Sequence, residues 1–127
     1  MPAQTPEQCD ELFGAYANTR DLDQLIALYE PQASLVNEDG IAVQGTAAIR
    51  ETLQGLFAAL SESKVTMNVV RVVPAGDDLA VLYNDWSMLG KSTDGSPVSI
   101  KHHALEVVRR QPDGAWRFVL DDPYARG

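Results

Sequence analysis

The sequence predicts an α+β domain in which a strongly curved mixed β-sheet wraps around three helices from the first half of the chain. Two observations support this fold class: helical periodicity fills the first half of the sequence, and strand patterns fill almost all of the second. The length of 127 residues suits a single domain over 1–127 with one core. A curved sheet that receives its helices on one side leaves an apolar cavity between the two layers, and we expect the functional site there.

Three amphipathic segments predict the helices. Thr5 and Gln8 form a capping box at the start of the first helix. Asp21 caps a second helix, which Pro31 ends because the residue before a proline avoids helical geometry. Thr46 caps the third. The apolar positions at helical spacing are Cys9, Leu12, Phe13, Tyr16 and Ala17, then Leu22, Leu25, Ile26 and Tyr29, then Ile49, Leu53, Leu56, Phe57 and Leu60.

Apolar extended segments separated by turn residues predict the strands at 33–36, 41–43, 65–73, 79–89, 98–110 and 116–122. The last two form a hairpin, whose turn ends in Gly114. Both alternating faces of this hairpin are largely apolar, with Leu105 and Val107 on one side and Val108 and Phe118 on the other. Because the helices cover only one face, we expect the second face to pack against another copy in a homodimer.

Composition and charge exclude several classes of partner. The net charge of -8 repels nucleic acid and anionic lipid, so neither is expected to bind. No apolar run approaches the ~20 residues that span a bilayer, and the first residues show no basic and apolar leader, so we expect a cytoplasmic protein. Cys9 is the single cysteine, and its helix stripe predicts a buried inert thiol. His102 and His103 are neighbours on a strand and point to opposite faces, so we expect no metal site and no cofactor.

Four stretches carry a resemblance to a known family: Asp21-Leu22-Asp23, Leu28-Tyr29-Glu30-Pro31-Gln32-Ala33, Gly45-Thr46-Ala47-Ala48-Ile49-Arg50, and the closing segment from Glu106 to Arg117. Together they resemble the SnoaL-like and ketosteroid isomerase-like branch of the nuclear transport factor 2-like superfamily. The resemblance covers nearly the whole chain. It implies the cone of the cystatin-like fold, with a bent mixed sheet around the helices, and commonly a dimer.

The resemblance also implies three catalytic positions. Ketosteroid isomerases of this fold use an aspartate base after the first strand, a tyrosine on the first helix and a protonated aspartate on a late strand. Here the base position falls on Asn37 and the tyrosine position on Phe13, neither of which can do that chemistry. The third falls near Glu106, where the neighbouring Arg109 and Arg110 favour a surface ion pair instead. Steroid isomerisation of that kind is therefore not expected.

His103 is the candidate catalytic residue, together with an aspartate from the last strand. A three-residue turn gives His103 a face in common with Asp121, whereas a four-residue loop places it opposite Asp122. A carboxylate beside an imidazole raises the imidazole pKa and fixes its tautomer, which suits a general acid or base. The alternatives are a histidine that packs or faces solvent, and aspartates that only end the strand.

Four further side chains are candidate ligand contacts. Trp86 provides an aromatic wall or packs in the core, and the Tyr16 hydroxyl points into the cavity or belongs to the core. Asn37 is a neutral hydrogen-bonding group or a turn residue, and Asp122 is a second polar contact.

Two functions fit these residues. The first is a module that holds a small, mostly apolar ligand without altering it, and the two missing family positions favour it. The alternative is a proton-transfer enzyme, namely an isomerase, lyase or cyclase, that acts on a small apolar carbonyl-type substrate through His103 with Asp121 or Asp122.

Overall fold

A computed structural model describes residues 2–125 and confirms the predicted α+β cone. The helices are α1 (Gln8–Thr19), α2 (Leu22–Ile26) and α3 (Thr46–Ala58). The strands are β1 (Tyr29–Val36), β2 (Ala42–Gln44), β3 (Leu60–Thr66), β4 (Val69–Pro74), β5 (Leu79–Ser92), β6 (Pro97–Arg110) and β7 (Trp116–Asp122). They form a mixed sheet in the order β2-β1-β7-β6-β5-β3, in which β1 and β7 are parallel and β4 also pairs with β5. Within 2–125, no helix is long and apolar enough to cross a membrane.

Of the three predicted N-caps, only Asp21 is found at that position, whereas Glu7 and Gly45 precede α1 and α3 without a side-chain cap. The Asp21 side chain accepts the backbone N–H of Gln24 at 3.2 Å, which is the predicted N-cap. The second helix nevertheless ends at Ile26, and Tyr29 begins β1. Pro31 is tolerated inside this strand because it lies in an irregular stretch of the β1–β7 ladder, where its missing N–H breaks no regular pairing.

The predicted strand over 65–73 is two strands, β3 and β4, which pair with successive halves of the long strand β5. The break falls at Met67 and Asn68. The side-chain oxygen of Asn84 on β5 accepts the backbone N–H of Asn68 at 2.9 Å. A buried polar side chain thus satisfies the backbone at the point where pairing with β5 passes from β3 to β4.

A bulge between β6 and β7 decides which side chains face the helices. The hairpin turn closes as predicted, since the Gln111 N–H donates to the Ala115 carbonyl at 2.7 Å. The ladder then slips by one residue after Phe118, so that Glu106 lies opposite Asp121. A slip of one residue moves every later side chain to the other face of the sheet. Asp121 therefore points towards the helices.

The helices cover one face of the sheet only, with α1 against β3 and β7 and α3 against β1 and β3. The large side chains that fill this layer are at most 1% exposed, and each stabilises the fold by roughly 1.5–3 kcal/mol on burial. They are Leu25, Tyr29, Ile49, Leu82 and Phe118.

Candidate functional site

A cavity of about 560 Å³ lies between the helices and the inner face of the sheet. This volume falls within the ~300–1,000 Å³ of typical small-molecule sites. Its walls are mostly apolar, and they include Phe13, Leu53, Phe57, Val65, Met88 and Phe118. Phe13 and Phe118 meet edge to face, with ring centroids 6.4 Å apart.

Three buried carboxylic side chains line the same cavity: Asp10 of α1, Glu106 of β6 and Asp121 of β7, here named the carboxyl cluster. They are 0%, 2% and 5% exposed. None of them forms an ion pair with any residue of 2–125. Carboxylates that are buried without a cation resist ionisation, so this cluster retains protons at a pH where exposed carboxyl groups have lost theirs.

Asp121 has one strong partner. The Tyr29 hydroxyl donates to Asp121 Oδ2 at 2.6 Å, in a fully buried contact between β1 and β7. Burial raises the pKa of Asp121 to about 7, while the Tyr29 hydrogen bond partly offsets this rise and the charge of Asp10 adds to it. Asp121 can therefore accept or release a proton near neutral pH.

Asp10 and Glu106 interact with each other across the interface between α1 and β6. Burial raises the pKa of Asp10 to about 6, and a hydrogen bond with Glu106 limits the rise. Burial, followed by the charge of Asp10, raises the pKa of Glu106 well above its usual value. Two carboxyl groups can hydrogen-bond only when a proton lies between them, so Glu106 is the protonated partner at neutral pH. The Asn84 amide donates to Glu106 Oε2 at 3.4 Å.

The arrangement places an acid beside a base in an apolar space. Glu106 and Asp121 are directly paired across the β6–β7 ladder, which sets their Cβ atoms roughly 4.5–5.5 Å apart. A protonated Glu106 donates a hydrogen bond, and an ionised Asp121 accepts a proton. Side chains with these properties can transfer a proton between two positions of one bound molecule.

The predicted pairing of His103 with Asp121 or Asp122 is wrong. His103 lies on the outer face of the sheet with half of its side chain exposed, and its Nδ1 is 2.7 Å from Asp85 Oδ1 on β5. The bulge is the physical reason, because it turns Asp121 to the inner face and leaves Asp122 opposite Leu105. Asp122 is not among the residues that line the cavity.

The surface ion pair predicted for Glu106 is also wrong. Arg109 pairs instead with Glu30, with the donor nitrogen 2.9 Å from Oε2, and Arg110 pairs with Asp78. Glu106 lies on the same face of β6 as the buried Ala104 and Val108, so it points to the interior.

The remaining ligand candidates separate into two groups. Trp86 lines the cavity and is fixed by its indole N–H, which donates to the Pro123 carbonyl at 2.8 Å. Asn37 also lines the cavity, but its side-chain oxygen accepts two backbone N–H groups of the following turn, at 3.0 and 3.1 Å. Tyr16 packs against the core and is not among the cavity residues, so the core interpretation of this side chain is the right one.

Sequence reasoning missed Asp10, Asn84 and Tyr29 as members of the site. Asp10 was inconspicuous because an acidic residue in the first turn of a helix is common on electrostatic grounds. The spacing of Asp10 could have indicated its role, since Asp10, Phe13 and Ala17 recur at helical intervals on one helix face, and all three line the cavity. No group of three or more potential ligands within 2–125 is arranged to hold a metal ion.

Comparison with known proteins agrees with the α+β fold described above. The sequence profile of the SnoaL-like domain matches residues 10–119, a range that contains Asp10 and Glu106. No curated protein matches the chain.

Solved structures with the same fold are numerous and distant in sequence. A ketosteroid isomerase-like protein from Erwinia carotovora atroseptica SCRI1043 has a TM-score of 0.81 and 17% identity, covering 91% of this chain and 89% of that one. A nuclear transport factor 2-like superfamily protein from Salmonella enterica serovar Typhimurium LT2 has a TM-score of 0.80 and 19% identity, covering 94% and 89%. A hexachlorocyclohexane dehydrochlorinase (LinA, type 2) has a TM-score of 0.77 and 19% identity, covering 89% and 76%. At these identities the likeness shows the fold alone.

Proposed function

The chain belongs to the SnoaL-like domain family, and we propose that it is an enzyme that moves a proton within a small, mostly apolar carbonyl compound bound in the cavity. The observation that carries this proposal is the carboxyl cluster, buried without a cation at an apolar cavity. The reaction class is that of an isomerase, lyase or cyclase. One protein of the same fold is described as a dehydrochlorinase, a lyase, which agrees with this class.

Asp121 is the proposed general base. Its pKa of about 7 is close to the optimum for a base at neutral pH, because the group is then both available and strong enough to accept a proton. The carboxylate takes a proton from the carbon beside the substrate carbonyl and returns it at a second position. The Tyr29 hydroxyl holds the carboxylate in place throughout.

Glu106 is the proposed hydrogen-bond donor to the substrate carbonyl oxygen, and its single proton turns from Asp10 to that oxygen when the substrate binds. Removal of the neighbouring C–H proton leaves negative charge on that oxygen, and a carboxylic acid in an apolar site stabilises such charge strongly. Trp86 is the proposed flat wall against which the ligand rests, and Asn37 contributes at the edge of the cavity.

A purely passive binding module is the second candidate, and the apolar walls alone would suit it. The carboxyl cluster favours the enzyme, because buried carboxyl groups lower the stability of the fold at neutral pH and add nothing to the binding of an apolar ligand. Proton transfer, in contrast, requires ionisable groups at the cavity.

A two-step experiment tests the proposal. A panel of apolar cyclic ketones is first screened by thermal shift, where a ligand at ~100 times its Kd adds about 2.7 kcal/mol to stability. The compounds that bind are then incubated with the protein in deuterated water, and deuterium at the carbon beside the carbonyl is measured by NMR. We expect catalysed exchange, and binding without exchange would favour the passive module.

Two adjacent aspartates provide a matched pair of variants for this assay. Asp121→Asn is expected to lower the exchange rate by ~10²- to 10⁴-fold, because it removes the base. Asp122→Asn removes the same charge one residue away and outside the cavity, and it should keep the wild-type rate. Equal rates in both variants would contradict the assignment of Asp121.

We also propose that the protein is a homodimer through the outer face of the sheet. The support is a continuous half-buried apolar patch on the side away from the helices, made of Val73, Val81, Tyr83, Leu105, Val107 and Leu120. Light scattering should give twice the 13.8 kDa mass of one chain, and Val107→Asp should give a monomer. A monomeric wild-type protein at micromolar concentration would contradict the proposal.

A further inference from the structure

Apart from the one proton that Asp10 and Glu106 share, three oxygen atoms in the carboxyl cluster have no hydrogen-bond donor among residues 2–125. They are both carboxyl oxygens of Asp10 and Oε1 of Glu106. The two side chains are 0% and 2% exposed and line the cavity, and the Asn84 amide reaches only the other oxygen of Glu106, at 3.4 Å. Buried acceptors of this kind are costly unless a donor is supplied.

A proton shared between Asp10 and Glu106 supplies only part of the hydrogen bonds that these oxygens can accept. It provides one hydrogen bond between the two groups and leaves the pair with a negative charge. Within 2–125, no lysine, arginine or histidine forms an ion pair with either residue. The same cavity is lined by Glu38 and Asp39, which are exposed. Its polar groups therefore disfavour an anionic ligand and favour a cationic one.

We propose that the cavity binds small apolar molecules that carry a protonated primary amine, with the ammonium group seated between Asp10 and Glu106. An ammonium group has three N–H donors, and the three unpartnered oxygens of these residues are acceptors. The apolar walls contact the rest of the molecule. The inference goes beyond the proposed function and holds whether or not the cavity catalyses proton transfer.

Binding of the amine displaces a proton. The ammonium group takes the place of the proton shared by Asp10 and Glu106, both carboxyl groups become ionised, and the displaced proton leaves to solvent. Amine affinity should therefore rise with pH, since each binding event releases a proton.

The other titratable groups near Asp10 and Glu106 do not reverse the expected rise of amine affinity with pH. Cys9 and Tyr29 stay protonated below pH ~9, because burial raises the pKa of each. Glu11 on α1 and Asp121 on β7 are carboxyl groups, and a negative charge on either of them attracts a cation.

The test compares three probes of similar size: phenethylamine, phenethyl alcohol and hydrocinnamate. Their Kd values are measured by calorimetry with the wild-type protein at about pH 8 and about pH 5, in two buffers of different ionisation enthalpy. At the higher pH the amine should bind at least about tenfold more tightly than the alcohol, and the carboxylate should bind most weakly. At the lower pH the advantage of the amine should shrink, and the buffer comparison should show proton release on amine binding.

Asp10→Asn should remove the preference for the amine, whereas Asp77→Asn, which removes one exposed charge in the turn between β4 and β5, should keep it. Glu106→Gln provides a second variant should Asp10→Asn fail to fold. Equal affinity for the amine and the alcohol at about pH 8, or an unchanged preference in both cluster variants, would overturn the proposal. Neither result bears on deuterium exchange into ketones, so this inference and the proposed function can fail separately.

Discussion

Replacement of Asp10 by asparagine should stabilise the protein at neutral pH and change its stability much less in acid. Burial raises the pKa of Asp10 from 3.8 to about 6 in the folded state. A shift of about two pKa units corresponds to about 3 kcal/mol, since each unit is worth 1.36 kcal/mol. The folded state binds the extra proton, so this contribution to stability is fully present below the unfolded pKa near 4 and is lost as the pH rises through about 6.

Chemical unfolding in urea at about pH 4 and about pH 8 measures this effect. The free energy of unfolding of the wild-type protein should fall between these two values, and the fall should be about 2 kcal/mol smaller in Asp10→Asn. Asparagine has nearly the size of aspartate, so the exchange creates no cavity. Asp77→Asn is the control, because it removes an exposed charge and should follow the wild-type protein. The same pH dependence in Asp10→Asn and wild type would refute the reasoning.

Three further substitutions, one of them with a matched control, test other parts of the structure. Tyr29→Phe removes the donor to Asp121, so the pKa of that carboxyl should rise further. The pH at which the exchange rate rises with ionisation of the base should then be higher than in the wild type. An unmoved pH profile would contradict the role of Tyr29 as a hydrogen-bond donor to the base. His103→Ala should keep the exchange rate, because the side chain lies on the outer face, and a large loss of rate with unchanged ligand affinity would contradict this. Gly90→Ala should lower the melting temperature strongly, because the new Cβ would clash with the backbone oxygen of Glu62 on β3. Gly55→Ala in α3 is the control, since its new Cβ meets nothing within 4 Å, and it should be neutral or slightly stabilising. Similar melting temperatures for the two alanine variants would be evidence against the β3–β5 pairing.

Local signals in the sequence were sufficient for most of the fold. The Asp21 cap and the turn before Ala115 each depend on neighbours within a few residues, and each is predicted correctly. The strand pattern locates most strands but joins β3 and β4 into one. The end of the second helix was not, because Tyr29 joins β1 through a parallel pairing with Phe118, which lies far away in the sequence. Such pairing overrides local helical periodicity.

The candidate site was harder to predict because one bulge decides it. Alternation along β7 has a period of two, so the one-residue slip after Phe118 exchanges the faces of Asp121 and Asp122 and removes His103 from the site. No residue type in this hairpin marks the position of the slip. The environment of Glu106 is hard to predict for a related reason. Nearby arginines suggest an ion pair, but alternation along β6 points Arg109 to the opposite face, and Arg110 pairs with Asp78 at the end of the strand.

The state of protonation of the carboxyl cluster is the property on which the proposed chemistry depends. Carbon-13 NMR titration of the aspartate and glutamate carboxyl groups measures it directly, with signals assigned through Asp10→Asn, Glu106→Gln and Asp121→Asn. We predict three carboxyl groups that titrate far above the rest, with Asp10 near 6, Asp121 near 7 and Glu106 well above its usual value. A titration in which all three lose their protons together with the exposed carboxyl groups, below about pH 5, would contradict the account.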